Sequence, residues 1–404
     1  MMSDRRTGIV AGAAQRAAWV EVDLAAVAHN VRTLKSVVGA AKLLAVVKAD
    51  GYGHGAIRVA ETALSAGAHG LAVALVQEGI ALRRAGIEAP ILILSEQPLD
   101  QVGDIVAHGL IATAYSVPYI DALEAAARRR DVVGQEVHLK IDTGMNRVGV
   151  QPERAVELAG RILACSPSLL LGGTYTHLAC ADDLDSPFTA VQVQRFDTAL
   201  ADLREAGIDP GWVHLANSAG VIGHPTTHRD MVRVGIAMYG IPPDQSMLTH
   251  CRLLRPALAL KARVSLVKRV RAGEGISYGQ RHRFDHETTV ATVPIGYADG
   301  VPRRLAAVGG KVLIGGRRCP IVGVVTMDQL MVDVGDADVA VGDEVVLLGS
   351  QGEHVISPNG WGALLDTIGY EVVCALSERL PRHYRGESSD LDSDVDDVTK
   401  ETRS

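Results

Sequence analysis

The sequence predicts an α/β protein: a (β/α)₈ TIM barrel followed by a mainly β C-terminal domain. Three observations carry this. Eight apolar stretches of strand length end near Lys48, Leu75, Leu94, Tyr115, Asp142, His177, Ser218 and Tyr239, and helical stretches separate them. Polar residues collect at the ends of those strands, where a barrel carries its working groups. After about Thr249 the alternation stops, and the chain turns to short strands dense in Val, Thr and Gly. An open doubly wound sheet is the alternative. No GxGxxG joins a first strand to its helix, and the spaced glycines Gly273, Gly275 and Gly279 sit among strand-like residues.

Taken in order, Trp19 to Asp23 alternates like a half-buried strand. Asp23 can cap a helix running to about Val38, with Leu24, Val27, Val31 and Leu34 at helical spacing. The first barrel strand then runs into Lys48. Helix is expected over 56–66, strand over 70–75, helix over 76–85 and strand over 91–94. Helix follows over 99–107, strand over 110–115, an Ala/Arg-rich helix over 117–130 and strand over 137–142. Proline near its first turn opens a helix over 152–164. Strands over 169–177, 212–217 and 231–239 complete the eight, with a long helix over 188–206 between the first two. In the second domain, strands are expected over 258–270, 288–294, 311–314, 321–326, 330–334 and 344–348, with one helix over 361–368. The expected division is a flexible N-terminus over 1–18, the barrel over 19–248, the β domain over 249–386 and a disordered acidic tail over 387–404.

At 404 residues, with 47% hydrophobic residues, the chain can bury two cores. Its net charge of −7 gives no basic excess for nucleic acid. No apolar run reaches the roughly 18 residues of a membrane span, and no signal peptide is expected. Five scattered cysteines without a CxxC suit a reducing cytoplasm.

The chemistry centres on Leu43 to Gly55, where an apolar run leads into Lys48 and three glycines interleave with Tyr52 and His54. A lysine at such a strand end, partly stripped of water, can attack a carbonyl to form a Schiff base. The stretch also reads as a buried strand and a turn with a solvated lysine. Lys140, Asp142 and Arg147 belong to the fifth strand end and His177 to the sixth. His214, Asn217 and Ser218 belong to the seventh, and Arg233 and Gly235 to the eighth. The last two strand ends are the usual phosphate site of a barrel. Ser218 offers a hydroxyl there, and Gly235 and Ile236 offer N–H groups. A Schiff-base lysine facing a phosphate suits pyridoxal 5′-phosphate. A phosphosugar aldolase would not explain the second domain. The fourteen histidines form no HxH on a strand, and the pairs His224/His228 and His282/His286 read as loop residues rather than metal ligands.

Seven motifs, in order from about Trp19 to Leu380, resemble the alanine racemases. They are Ala45–Gly55, Lys140–Arg147, Ala216–Ala219, Arg233–Gly240, Ile276–Gly279, Pro294–Gly300 and Met327–Gln329. The resemblance implies a fold-type III pyridoxal-phosphate enzyme that interconverts L- and D-alanine and supplies D-alanine for peptidoglycan. It also implies a homodimer with shared active sites. Lys48 would hold the cofactor covalently, and Tyr52, Ser218, Gly235, Ile236 and Tyr370 would hold its phosphate. Arg233, supported by His214, would face the pyridine nitrogen, with His177 close to the ring and Asn217 supporting the site. Arg147, Met327 and Tyr297 would bind the substrate, and Tyr278 of the other subunit would be the second catalytic base beside Lys48. Lys140 matches a position that is carbamylated in several relatives.

Asp50-Gly51 stands where Asn-Ala is frequent in the family, and Thr326 precedes Met327 where cysteine is common. The rivals are a broader-specificity amino-acid racemase and a fold-type III amino-acid decarboxylase. Against the decarboxylase, Arg233 stands where an acid is expected, and Met327-Asp328-Gln329 stands where a cysteine–aspartate motif is expected.

Overall fold

The computed structural model describes residues 16–386. The expected N-terminal segment 1–18 and tail 387–404 fall almost wholly outside the described residues. Two compact units are formed. One comprises Val22–Leu258, Pro358–Cys374 and 384–386, and the other 16–21, Ala259–Ser357 and Ala375–His383.

The first unit is the barrel. Strand β1 (Ala18–Asp23), which lies mostly in the second unit and pairs in its sheet, leads into helix α1 (Leu24–Val38) of the barrel. Asp23 caps α1 by accepting the Ala26 N–H at 2.8 Å, and Gly39 ends it with φ 61°. Leu24, Val27, Val31 and Leu34 form its buried face, as the spacing predicts. The barrel strands follow: β2 (Lys42–Val46), β3 (Gly70–Val73), β4 (Ile91–Ile93), β5 (Ala112–Ala114), β6 (Gln135–Lys140), β7 (Leu169–Tyr175), β8 (Trp212–His214) and β9 (Met231–Val234). They are parallel, in the order β4-β3-β2-β9-β8-β7-β6-β5. The sheet closes between β4 and β5, where Leu92 pairs with Ile111 and the Ile93 N–H donates to Ile111 O at 3.0 Å. That closure overturns the open-sheet alternative. Every residue of β3, β4, β5 and β9 is buried, the signature of strands covered on both faces.

Several strands stop earlier than the apolar runs suggest. β2 ends at Val46, so Lys48 opens a turn rather than closing a strand. His177 lies two residues past β7. β9 ends at Val234, and Ile236–Tyr239 coils into a 3₁₀ turn, so Gly235 is past the strand rather than on it. In each case the backbone leaves the sheet where side chains must face the barrel mouth.

The second unit is built on an antiparallel ladder, with strand Leu330–Gly335 alternating between buried and half-buried residues. The single strand expected over 258–270 is two, Leu258–Arg263 and Leu266–Val270. The chain leaves Glu344–Gln351 as its partner and takes up Thr288–Val293 at Val264-Ser265. The helix expected over 361–368 is Pro358–Leu365, and it packs with the barrel unit. Asp366, at φ 61°, breaks it, and a second helix, Gly369–Cys374, carries Tyr370.

Candidate active site

Lys48 begins an unusual turn. Ala49, Asp50, Gly51 and Tyr52 all have positive φ, at 52°, 50°, 61° and 53°, and Gly53 follows at 77°. Left-handed backbone costs about 1–2 kcal/mol at each non-glycine residue, so it must be held from outside. Within the turn, the Gly51 N–H donates to Val47 O at 2.9 Å and the Gly55 N–H to Asp50 O at 2.8 Å. Asp50 Oδ1 accepts the Ala56 N–H at 2.8 Å and so starts the next helix. A Cβ at Gly51 would lie 3.3 Å from Ala56 N and Cα, which suits glycine there. The strongest clamp is Glu78, in the first turn of the helix Val76–Arg84. Its carboxylate accepts N–H groups from Ala49, Ala74 and Leu75 at 2.7, 2.8 and 3.1 Å.

Beyond β8 and β9, Ser218 Oγ accepts the N–H groups of Gly235 and Ala237 at 3.0 and 3.3 Å. A Cβ on Gly235 would lie 2.5 Å from Tyr52 Oη, so only glycine lets that hydroxyl reach the backbone. Burial raises the Tyr52 and Tyr370 hydroxyls above their ordinary pKa, and both stay protonated donors. Asn217 caps the short helix Ser218–Gly223 through Oδ1 to the Gly220 N–H at 2.9 Å.

Arg233 is held on every side. One terminal nitrogen donates to His214 Nδ1 at 2.8 Å and to His214 O at 3.2 Å. The other donates to Thr176 O, Leu215 O and His177 Nδ1 at 2.7, 3.0 and 3.2 Å. Its guanidinium lies 4.9 Å from the Tyr175 ring centre. Burial and the Arg233 charge lower His177 and His214 well below the ordinary histidine range, so both rings stay neutral. Arg147 rides on a loop ordered by Asp142, whose Oδ1 accepts the N–H groups of Gly144 and Asn146 at 2.9 and 3.0 Å.

These groups line one cavity of about 560 Å³, all of it within the first unit. It brings together Lys48, Tyr52, Lys140, Arg147, His177, Asn217, Ser218, Arg233, Gly235, Ile236 and Tyr370. Four basic side chains, Lys48, Lys140, Arg147 and Arg233, face it, against one carboxylate among the described residues that line it, Glu371. Burial, then Arg147, lowers the Lys48 amine toward its neutral, nucleophilic form. Lys140 falls to about 7 through burial and the nearby Arg233, Arg147 and Lys48. Such a cavity suits a ligand rich in negative charge that also presents a group for an amine to attack. His214 stands behind Arg233 rather than in the lining.

Tyr278, Tyr297 and Met327 belong to the second unit, and the residues are 73%, 41% and 52% exposed. Tyr278 follows Ser277, a non-glycine residue at φ 63° whose Oγ donates to Val324 O at 3.0 Å. The Tyr297 N–H donates to Thr326 O at 2.9 Å, and a Cβ at Gly296 would overlap Thr326 O. The segment from Gly323 to Met327 therefore ties the three residues to one region of that unit.

Sequence reasoning missed Glu78, Tyr175, Cys374 and the pair Glu136 and His138. An acid at the third position of a helix after a strand was the available signal for Glu78. Gly172-Gly173 inside β7 was the signal for close packing beside that strand.

The alanine racemase N-terminal domain model matches residues 22–243, and the C-terminal domain model matches 257–384. An alanine racemase of Symbiobacterium thermophilum is 49% identical over 377 residues, covering 93% of this chain and 98% of the relative. Among solved structures, the alanine racemase of the D-cycloserine producer Streptomyces lavendulae superposes with a TM-score of 0.89 at 37% identity, covering 93% of this chain and 99% of that one. The Bacillus anthracis alanine racemase with bound L-Ala-P gives 0.86 at 39% identity, covering 93% and 96%. With both domain models matched and the barrel, the β unit and the cation-lined cavity all present, this chain belongs to the alanine racemase family.

Proposed function

We propose that this protein is an amino-acid racemase that interconverts L- and D-alanine with pyridoxal 5′-phosphate. One observation carries the reading: an amine of lowered pKa, Lys48, opens into a cavity that it shares with three more basic side chains, Lys140, Arg147 and Arg233, and with a hydroxyl-and-glycine cradle. The residues fit such a group. Tyr52, Ser218, Gly235, Ile236 and Tyr370 would hold its phosphate, and Lys48 would bind it covalently. The chemistry the cofactor supplies when bound is an electron sink that makes the Cα proton of an attached amino acid acidic.

The protein's own groups do the rest. Arg147 binds the substrate carboxylate, helped by Tyr297 and the Met327 N–H. Arg233 can only donate hydrogen bonds, so it leaves the ring nitrogen as an acceptor and limits side reactions such as transamination. Lys48 handles the proton on the D face of Cα, and the Tyr278 hydroxyl handles the L face. Tyr278, Tyr297 and Met327 act in the site of a second copy, in a homodimer with shared sites. Their exposure on the second unit supports that role. A carbamate on Lys140, formed from its neutral amine and carbon dioxide with loss of a proton, would set an anion beside Arg147. The product is read as D-alanine for peptidoglycan, made in the cytoplasm, in keeping with five unpaired cysteines. Among the described residues, no helix is long and apolar enough to cross a membrane. A decarboxylase is not favoured, since Arg233 would oppose the protonated ring nitrogen it needs.

Incubating the purified protein, loaded with pyridoxal phosphate, with single L-amino acids and following chirality tests the reading. L-Alanine should racemise fastest. Release of carbon dioxide without D-product would overturn it.

A further inference from the structure

We propose that Glu136 and His138 are positioning residues: with His214 they form a hydrogen-bonded chain of fixed polarity that orients Arg233 toward the cavity. The inference rests on the proposed reading only for what Arg233 meets there.

The chain is continuous. The Arg233 guanidinium donates to His214 Nδ1 at 2.8 Å. His214 Nε2 lies 2.9 Å from His138 Nδ1, and His138 Nε2 lies 3.0 Å from Glu136 Oε1. The ends fix the protons. Arginine has no acceptor, so His214 Nδ1 must accept and its proton must sit on Nε2. His138 Nδ1 then has to accept, which puts its proton on Nε2, aimed at Glu136. The His138 contact holds the Glu136 carboxyl below its usual pKa, helped by His69 and Lys42, so that end is acceptor only. Both histidines are therefore neutral Nε2–H tautomers, and each hydrogen bond along the chain is satisfied.

The fold makes room for this chain. A Cβ on Gly173 would lie 2.8 Å from His138 Cε1, and one on Gly172 would overlap Glu136 Cγ. Two adjacent glycines weaken a strand, and here they clear the two positions the chain occupies. Tyr175 stacks on His214, with ring centres 4.5 Å apart and planes at 12°. His138 is 1% exposed, whereas Glu136 keeps 35% of its side chain in water, which lowers the cost of its charge.

The consequence falls on Arg233. Its four terminal N–H groups are engaged by His214, Thr176, Leu215 and His177. The Nε–H is the fifth donor, left for whatever enters the cavity. Without the Glu136 carboxylate, His138 can turn its proton to Nδ1, and His214 must then do the same. A donor would face the guanidinium, and Arg233 would shift.

The test is ¹⁵N NMR of histidine-labelled holoenzyme, with the ratio of transamination to racemisation measured alongside. Both histidines should appear as Nε2–H tautomers in the wild type. Glu136→Leu should mix the tautomers of His214 and raise the ratio by about fivefold, the size of one lost hydrogen bond. Glu136→Gln, which can still accept, should keep most of the wild-type tautomers. A folded Glu136→Leu protein with unchanged His214 tautomer and unchanged ratio would overturn the proposal. Should that variant fail to fold, the wild-type spectrum decides: an Nδ1–H His214 or a charged His138 refutes the chain. Failure of the functional reading is seen separately, as no visible absorbance when the wild type is mixed with pyridoxal phosphate.

Discussion

The N–H of Ala49 donates to the Glu78 carboxylate at 2.7 Å, so the helix after the second barrel strand holds the turn that follows the first. That turn presents Lys48. Three backbone N–H groups converge on Glu78: those of Ala74 and Leu75 fix it at the start of its own helix, and that of Ala49 ties the left-handed run to it. Hydrogen bonds to a charged group are worth about 1.5–3 kcal/mol each. Glu78→Ala should therefore lower stability in urea by about 2 kcal/mol or more. Adding Ala49→Gly should return about 1 kcal/mol, because glycine accepts the left-handed backbone without strain. No recovery would mean the clamp does not act through the turn.

Gly235 and Tyr52 make a second separable pair. Gly235 has φ −109° and ψ −101°, outside the α and β wells, so an alanine there carries a backbone cost that is the same whatever stands at position 52. The part that depends on Tyr52 is steric, from a Cβ 2.5 Å from its Oη. Gly235→Ala should weaken cofactor binding by about tenfold or more, read by equilibrium dialysis, for a displacement worth about 1.4 kcal/mol. In a Tyr52→Phe background the nearest remaining ring atom is Cζ at 3.1 Å, so the same substitution should cost less. Equal costs in both backgrounds would rule out the contact.

Much of this site was legible because a barrel turns chain order into position. Once eight apolar runs are counted, the polar residues just past each run face one mouth, which placed Lys48, Arg147, Ser218 and Arg233. What escaped is what acts across the barrel rather than along the chain. Glu78 serves a turn 29 residues earlier, and His138 meets His214 76 residues away. The helix-start acid and the paired glycines are local signals, but neither tells which distant residue is met. The strand ends also moved, because apolar content reports burial and not where pairing stops. Val47 is fully buried and yet lies outside β2. The Asp50-Gly51 departure proved structural: Asp50 starts the next helix and Gly51 clears Ala56.

Lys140 gives a pH dependence. It is 4% exposed, donates to Leu94 O at 2.9 Å, and has its pKa lowered from 10.5 to about 7, chiefly by burial. Below pH 7 the folded protein buries a cation that the unfolded chain keeps in water, and the full penalty applies. Between 7 and 10.5 the unfolded chain binds the extra proton, so the penalty shrinks as pH rises. In buffer free of carbon dioxide, Lys140→Met should gain most in urea midpoint over the wild type below pH 7. The gain should narrow steadily toward pH 10.5. A constant offset would show that Lys140 is not a strained cation.

The central claim is a two-base racemisation with Tyr278 and Lys48 on opposite faces of Cα. The most direct measurement starts the holoenzyme on L-alanine in D₂O and follows the Cα hydrogen of each enantiomer by NMR at low conversion. D-Alanine should appear carrying solvent deuterium at Cα, returned from Lys48, while the remaining L-alanine keeps most of its protium. Tyr278→Phe should slow that appearance severely. D-Alanine that retains the original hydrogen would contradict the two-base account, and no D-alanine at all would contradict the function itself.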